Sequence, residues 1–237
     1  MTDASRAGAL LVFGTRPEAI KMAPVYQALQ GSPLTPIVCV TAQHRQMLDQ
    51  VLRFFQIRAD VDLDLMKHDQ APYEVLGTAL KALVPVVLRT RPAVIVVQGD
   101  TTTTLAGALA GFYTLTPVAH VEAGLRTYDH YAPYPEEVNR ELTTRVADLH
   151  FAPTVRAEKA LLAEGIPADR VAITGNTVVD AFRWATAKLE GAVAAGKASG
   201  LLPEQVSALD RDRRTVLVTA HRREHFEIGC EGGEADL

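Results

Sequence analysis

Cysteine is almost missing from this 237-residue chain, and the two present, Cys39 and Cys230, stand far apart and fit no CxxC or zinc spacing. A disulfide framework and a cysteine-built metal centre therefore have nothing to rest on, and a reducing, cytoplasmic setting is expected. Long apolar runs are missing as well. The stretch from Ala9 to Phe13 is too short for the core of a signal peptide and is followed by the charged Arg16-Pro17-Glu18 rather than a cleavage site. Nothing approaches the ~20 consecutive apolar residues that a membrane span needs, so no membrane partner is expected. Basic excess is also lacking: the net charge is −4 and Lys and Arg are interspersed with acids, which removes the electrostatic footprint of a nucleic-acid binder. Finally, no GxGxxG follows the first apolar strand and no GxxxxGK[ST] occurs, so neither a nicotinamide enzyme nor a P-loop ATPase is supported.

What remains is an ordinary globular composition, 48% hydrophobic and 22% charged, in a chain long enough for one large domain or one domain plus a fragment. Short apolar runs rich in β-formers alternate with longer helical patterns, the rhythm of βα units on a parallel sheet covered on both faces. Core strands are expected at Leu10 to Phe13, Ile37 to Thr41, Val94 to Val97, Val118 to Val121, Leu149 to Ala152 and Val171 to Thr174. The fold class is thus α/β, a doubly wound, Rossmann-like parallel sheet.

Helix signals agree with this order. Thr15, Pro17 and Glu18 form a Thr-x-x-Glu capping box at the start of the first helix, in which Pro24 is expected to introduce a kink. Met47, Leu48, Val51, Leu52 and Phe55 recur at helical spacing, as do Val75, Leu76, Ala79, Leu80, Leu83, Val84 and Val87, and both sets read as core faces. Val61, Leu63 and Leu65 alternate with Asp62 and Asp64, which fits either an edge strand or an extended connection. Residues 1–187 read as the first domain and 188–214, rich in Ala, Gly, Ser and charge, as a linker. Residues 215–237 contain one further strand, Thr215 to Thr219, and then no pattern, as a remnant of a second domain would.

Ligands of open α/β sheets bind at the carboxyl ends of the strands, and the polar residues crowd those positions. Strand one runs into Gly14-Thr15-Arg16-Pro17-Glu18-Ala19-Ile20-Lys21, a helix start with two cations, which is either a capped surface helix or an anion site. Strand three ends in Gln98-Gly99-Asp100, where Asp100 is either a helix N-cap or a functional acid; strand four ends in Glu122-Ala123-Gly124-Leu125-Arg126. A third set of acids, Glu136 and Glu137, follows a Pro-rich loop with Asn139 and Arg140 one turn on, and favours a helix dipole if it does nothing else. Three carboxylates beside Arg16, Lys21 and Arg140 suggest proton transfer next to an anionic substrate.

These segments, together with Thr41-Ala42-Gln43-His44-Arg45, Thr174-Gly175-Asn176-Thr177 and His221-Arg222-Arg223-Glu224, resemble in order the motif set of the bacterial non-hydrolysing UDP-N-acetylglucosamine 2-epimerases. The resemblance covers about residues 8 to 224. It implies the first half of a two-domain GT-B-type fold, with Asp100, Glu122 and Glu136 as acid/base carboxylates and His221 facing the UDP leaving group. Arg16 and Lys21 would contact the substrate, Arg140 would support the carboxylates or the diphosphate, and Gln43 and His44 would belong to a regulatory UDP-sugar site. A UDP-sugar substrate, a homodimer, a place in polysaccharide biosynthesis and a reaction without metal or other cofactor follow from the same resemblance. Members of that family continue through a whole second domain, and the residues after Glu224 depart from the pattern. The chain accordingly reads as C-terminally truncated or frameshifted, weak or inactive alone. A non-catalytic dimerisation or regulatory module and a GT-B glycosyltransferase fragment are the alternatives.

Overall fold

The computed structural model describes residues 7–41, 45–65, 70–194 and Val216. The chain divides into two units, Met1–Trp184 and Ala185–Leu237. In chain order the elements are β1 (Gly8–Phe13), α1 (Arg16–Gln30), β2 (Thr35–Val40), α2 (Arg45–Phe54), β3 (Val61–Asp62), α3 (Pro72–Thr90) and β4 (Val94–Gln98). They continue with α4 (Thr102–Tyr113), β5 (Val118–Val121), α5 (Glu136–Val146), β6 (Leu149–Ala152), α6 (Val155–Ala163), β7 (Val171–Ile173) and α7 (Thr177–Ala194). The sheet has the order β3-β2-β1-β4-β5-β6-β7 and every ladder is parallel.

The strands are apolar throughout because both faces of the sheet are covered. Along β1, Ala9, Leu11 and Phe13 pack with Met22 and Ala23 of α1 and Leu48, Leu52 and Phe55 of the α2 region. Leu10 and Val12 point the other way, into Ala79, Leu83, Val86 and Val87 of α3 and Ala106 and Ala110 of α4. Leu10 and Leu11 are fully buried on opposite faces, and burial of such a side chain stabilises by about 1.5–3 kcal/mol. Phe55 also stacks on Trp184 of α7, with ring centroids 4.9 Å apart.

All six expected core strands are present, and the 61–65 ambiguity resolves as a short edge strand, Val61–Asp62, beside β2. Of the α2 positions expected in the core, Met47 is instead 40% exposed, because it lies at the margin of the apolar stripe that Leu48, Val51 and Leu52 fill. Helix α1 runs from Arg16 to Gln30 with Pro24 inside it, and α3 likewise contains Pro85. Helix α7 extends past residue 187 to Ala194. The strand expected at 215–219 lies outside the described residues apart from the exposed Val216.

Strand order steps one way from β1 to β2 and β3, then the chain crosses to β4 on the other side of β1. The carboxyl ends of β1 and β4 therefore flank the point where the connections diverge, which is where an open sheet leaves a crevice.

Candidate active site

The β1–α1 turn is built around a buried acid. Thr15 caps α1, and Glu18 completes the box, its Oε2 accepting from the backbone N–H of Gly14 at 3.1 Å and of Thr15 at 2.8 Å. Its other oxygen reaches a different turn, accepting from the Thr101 hydroxyl at 2.8 Å and lying 3.3 Å from the Thr104 hydroxyl. Glu18 thus fastens the β1–α1 turn to the β4–α4 turn. Burial pushes its carboxyl above the usual range, and the hydrogen bonds from Thr15, Thr101 and Gly14 pull it back down.

The β4–α4 turn carries Asp100. The N-cap of α4 is Thr101, whose hydroxyl accepts from the Thr104 N–H at 3.1 Å, so Asp100 is not needed as a cap. Its carboxylate instead meets the Arg140 guanidinium at 2.9 Å. Burial is the main influence on Asp100 and pushes its carboxyl up; Arg140 opposes this, Glu136 and Glu122 add to it, and Lys21 opposes it. The charges of both other acids thus bear on this carboxyl.

Glu122, directly after β5, takes a left-handed backbone conformation with φ 64°, a costly choice for a residue with a side chain, of order 1 kcal/mol or more. The turn aims its carboxylate at a ring of donors. Lys21 of α1 donates to Oε2 at 2.5 Å, Gln98 at the end of β4 donates to the same oxygen, and Asn176 donates to Oε1 at 2.6 Å. A Cβ added at Gly99 would stand 3.8 Å from Glu122 Oε2, which shows how near the two strand ends bring the Asp100 turn and Glu122.

Glu136 opens α5, where its carbonyl accepts from Arg140 Nε at 3.3 Å. Its neighbour Glu137 is fully buried and accepts from the backbone N–H groups of Thr127 and Tyr128, both at 2.9 Å, while Oε2 faces Arg140 at 3.4 Å. Glu137 therefore holds the 127–128 loop against the helix that presents Glu136 and Arg140. A cavity of about 290 Å³ opens beside Arg140, lined also by Gly124, Arg126, Tyr128, Thr154 and Arg156. Arg126 itself is committed to Glu164, at 2.6 and 2.9 Å.

The structure therefore brings together Asp100, Glu122, Glu136, Lys21 and Arg140 of the residues singled out from sequence. Arg16 sits exposed in the first turn of α1, its side chain making no hydrogen bond or ion pair among the described residues. Gln43, His44 and His221 lie outside the described residues. Sequence reading gave no role to Gln98 or Asn176, and it saw Glu18 only as a local cap. Asn176 had one usable signal, its place in the Thr-Gly-Asn-Thr turn after β7.

A doubly wound parallel sheet with acids and cations gathered at its carboxyl rim defines a Rossmann-like α/β domain with an acid/base cluster at the ligand-binding edge. A sequence profile described as UDP-N-acetylglucosamine 2-epimerase matches residues 27–231, past Glu224 where the motif resemblance stops. The UDP-N-acetylglucosamine 2-epimerase of Yersinia pestis is 51% identical over 223 residues, 94% of this chain and 58% of the relative. The crystal structure of the Neisseria meningitidis UDP-GlcNAc 2-epimerase bound to UDP-GlcNAc superposes with a TM-score of 0.85 at 47% identity, covering 92% of this chain and 58% of that one. The chain belongs to the UDP-N-acetylglucosamine 2-epimerase family and spans about 58% of the length of these relatives. A lipopolysaccharide outer core galactosyltransferase, WaaB, shares the fold alone, with 12% identity and a TM-score of 0.52.

Proposed function

We propose that this chain carries the acid/base chemistry of a UDP-N-acetylglucosamine 2-epimerase, interconverting UDP-GlcNAc and UDP-ManNAc. The sugar C2 proton is not acidic in the ground state, so the C1–O bond to UDP must break as the proton leaves. The C–H electron pair becomes the C1–C2 double bond of a glycal, a carboxylate keeps the proton, and UDP carries away the C1–O pair. In the return step a UDP oxygen attacks C1 while a carboxyl group delivers a proton to C2 from the opposite face, which inverts that centre. The scheme needs two proton-handling groups on opposite sides of the ring and cations for the diphosphate, within a site shielded from water.

The observation that supports this reading is the electrostatic grouping of Asp100, Glu122 and Glu136 with Lys21 and Arg140 at one rim of the sheet. Raised by burial, the Asp100 carboxyl is the group suited to hold a proton. Glu122, held by Lys21 and Asn176 at its two oxygens, is the second carboxylate of the set. Glu136 completes the set, with Arg140 and Arg16 assigned to the anion. The roles of His221 toward UDP and of Gln43 and His44 in regulation come from the family resemblance, as does a homodimer; a cytoplasmic location rests on the scarcity of cysteine. No helix among the described residues is long and apolar enough to cross a membrane.

Incubation with UDP-GlcNAc in deuterium oxide tests the proposal. It is run on the chain itself and on a chimaera in which residues 8–224 replace the matching segment of the Yersinia pestis relative. The chimaera is expected to place deuterium at C2 and form UDP-ManNAc, with both lost in D100N and E122Q and with slower exchange by the chain alone. A folded chimaera that incorporates no deuterium, or that transfers sugar to an acceptor without exchange at C2, refutes it.

A further inference from the structure

The turn that presents Asp100 is restrained by three side chains from three different elements. The carbonyls of Gln98, Gly99 and Asp100 are consecutive, and each accepts from one of them: Thr104 Oγ1 of α4 at 2.6 Å, His120 Nε2 of β5 at 2.7 Å and Asn139 Nδ2 of α5 at 3.0 Å. Thr104 bonds within the turn its own helix begins, and Asn139 shares a helix with Arg140. His120 is the link that is neither local nor part of the ion pair. It is fully buried, and it reaches across one strand to the residue before Asp100, at a glycine with φ 77°.

A carbonyl oxygen only accepts, so Nε2 of His120 must carry the proton in this contact. With Nε2 protonated, a neutral ring leaves a lone pair on Nδ1, and that atom is buried with no hydrogen-bond partner among the described residues. Burial also pushes the ring's pKa down to about 4, so the ring remains neutral and the donor in place across the neutral range.

We propose that His120 is a positioning residue for the acid/base site, holding the Asp100 turn through the Gly99 carbonyl as an Nε2–H donor. The proposal takes the importance of Asp100 from the epimerase reading, but its test reads no turnover. The groups that face Asp100 are Arg140 and Glu136 from α5, Glu122 after β5 and Lys21 from α1, and they act on its titration after burial, the largest influence. The Asp100 side chain is already 32% exposed, and a turn that loosens exposes its carboxyl further, so its raised midpoint should fall toward the ordinary carboxylate value.

The experiment is NMR on the whole chain. Ring nitrogen shifts give the His120 tautomer, and the carboxyl carbon of labelled aspartate, assigned by loss of its signal in D100N, gives the Asp100 midpoint. The unaltered protein is expected to show the Nε2–H form. H120F is expected to lower the Asp100 midpoint by about half a pH unit or more, and H120Q, whose longer amide reaches the carbonyl, to restore it. Should H120F not fold, H120N, whose amide falls short of Gly99, takes its place with the same expected fall. An Nδ1–H tautomer, an Asp100 midpoint unmoved in H120F or H120N, or no restoration by H120Q overturns the inference and leaves the epimerase reading untouched. Absence of C2 exchange in the chimaera sinks that reading and not this one.

Discussion

Replacing Glu18 by alanine separates its tertiary role from its capping role. The substitution strands the buried N–H of Gly14 and the part-buried N–H of Thr15, which now lie 3.1 and 2.8 Å from Oε2. The two hydroxyls lose less, because Thr104 retains its bond to the Gln98 carbonyl at 2.6 Å and Thr101 retains Thr104 at 3.1 Å. A stranded buried donor costs roughly 1–3 kcal/mol, and water entering the vacated space recovers part of that, so E18A should lose about 3 kcal/mol. E18Q should behave quite differently. Its carbonyl can take both N–H groups while its amide donates to the threonine hydroxyls, which accept as readily as they donate. It should stay within about 1 kcal/mol of the unaltered protein near pH 7.

The pH dependence has a definite sign. The folded-state pKa of Glu18 is raised, so its contribution is most favourable below the ordinary carboxylate value and declines as pH rises through the raised one. Glutamine does not titrate, so E18Q should gain on the unaltered protein between about pH 4 and about pH 8. Urea unfolding followed by circular dichroism at both pH values reads these differences. An E18A loss below about 1 kcal/mol, or an E18Q that falls as far as E18A, refutes the reasoning that Glu18 works by hydrogen-bond satisfaction.

Other consequences are equally open to measurement. R140A removes the main charge that lowers Asp100, so the Asp100 midpoint should rise further in an NMR titration, and the loss of a partner for buried Glu137 should cost about 3 kcal/mol in urea unfolding. G124A places a Cβ 2.3 Å from the Ala157 carbonyl oxygen at φ 85°, and should lower stability by roughly 2–4 kcal/mol or yield no folded protein. His120 has a folded pKa of about 4 against an ordinary 6.5, so the stability it preserves is complete above 6.5 and is lost as pH falls through 4. The slope amounts to about 3 kcal/mol over that interval and should be absent in H120Q, as acid unfolding curves of the two proteins would show.

Much of the fold could be read from the letters because a parallel sheet buried on both faces leaves unbroken apolar strands, as in Leu10-Leu11-Val12-Phe13 and Val94-Ile95-Val96-Val97. Met47 was misplaced because helical spacing identifies a stripe but not where its margin falls. At Asp100 the sequence left cap and acid in balance, and the structure decided by giving the cap to Thr101. Glu18 shows the opposite limit. Its local role satisfied every sequence signal, so nothing pointed to the bonds it makes 83 and 86 residues away. Asn176 reaches Glu122 across 54 residues, and only the stacking of β5, β6 and β7 in register makes that partnership visible.

The two margins of the sheet differ in how well they are guarded. The β3 side is a two-residue strand that carries Asp62 and is flanked by Asp60 and Asp64, acids of the kind that discourage edge pairing. On the opposite side β7 offers Ala172 and Ile173 to solvent, the latter 47% bare, on a strand whose outer hydrogen-bonding row pairs with no strand among the described residues. Stickiness in concentrated solution should accordingly be one-sided, and a single lysine at position 173 should do more for solubility than any change along β3.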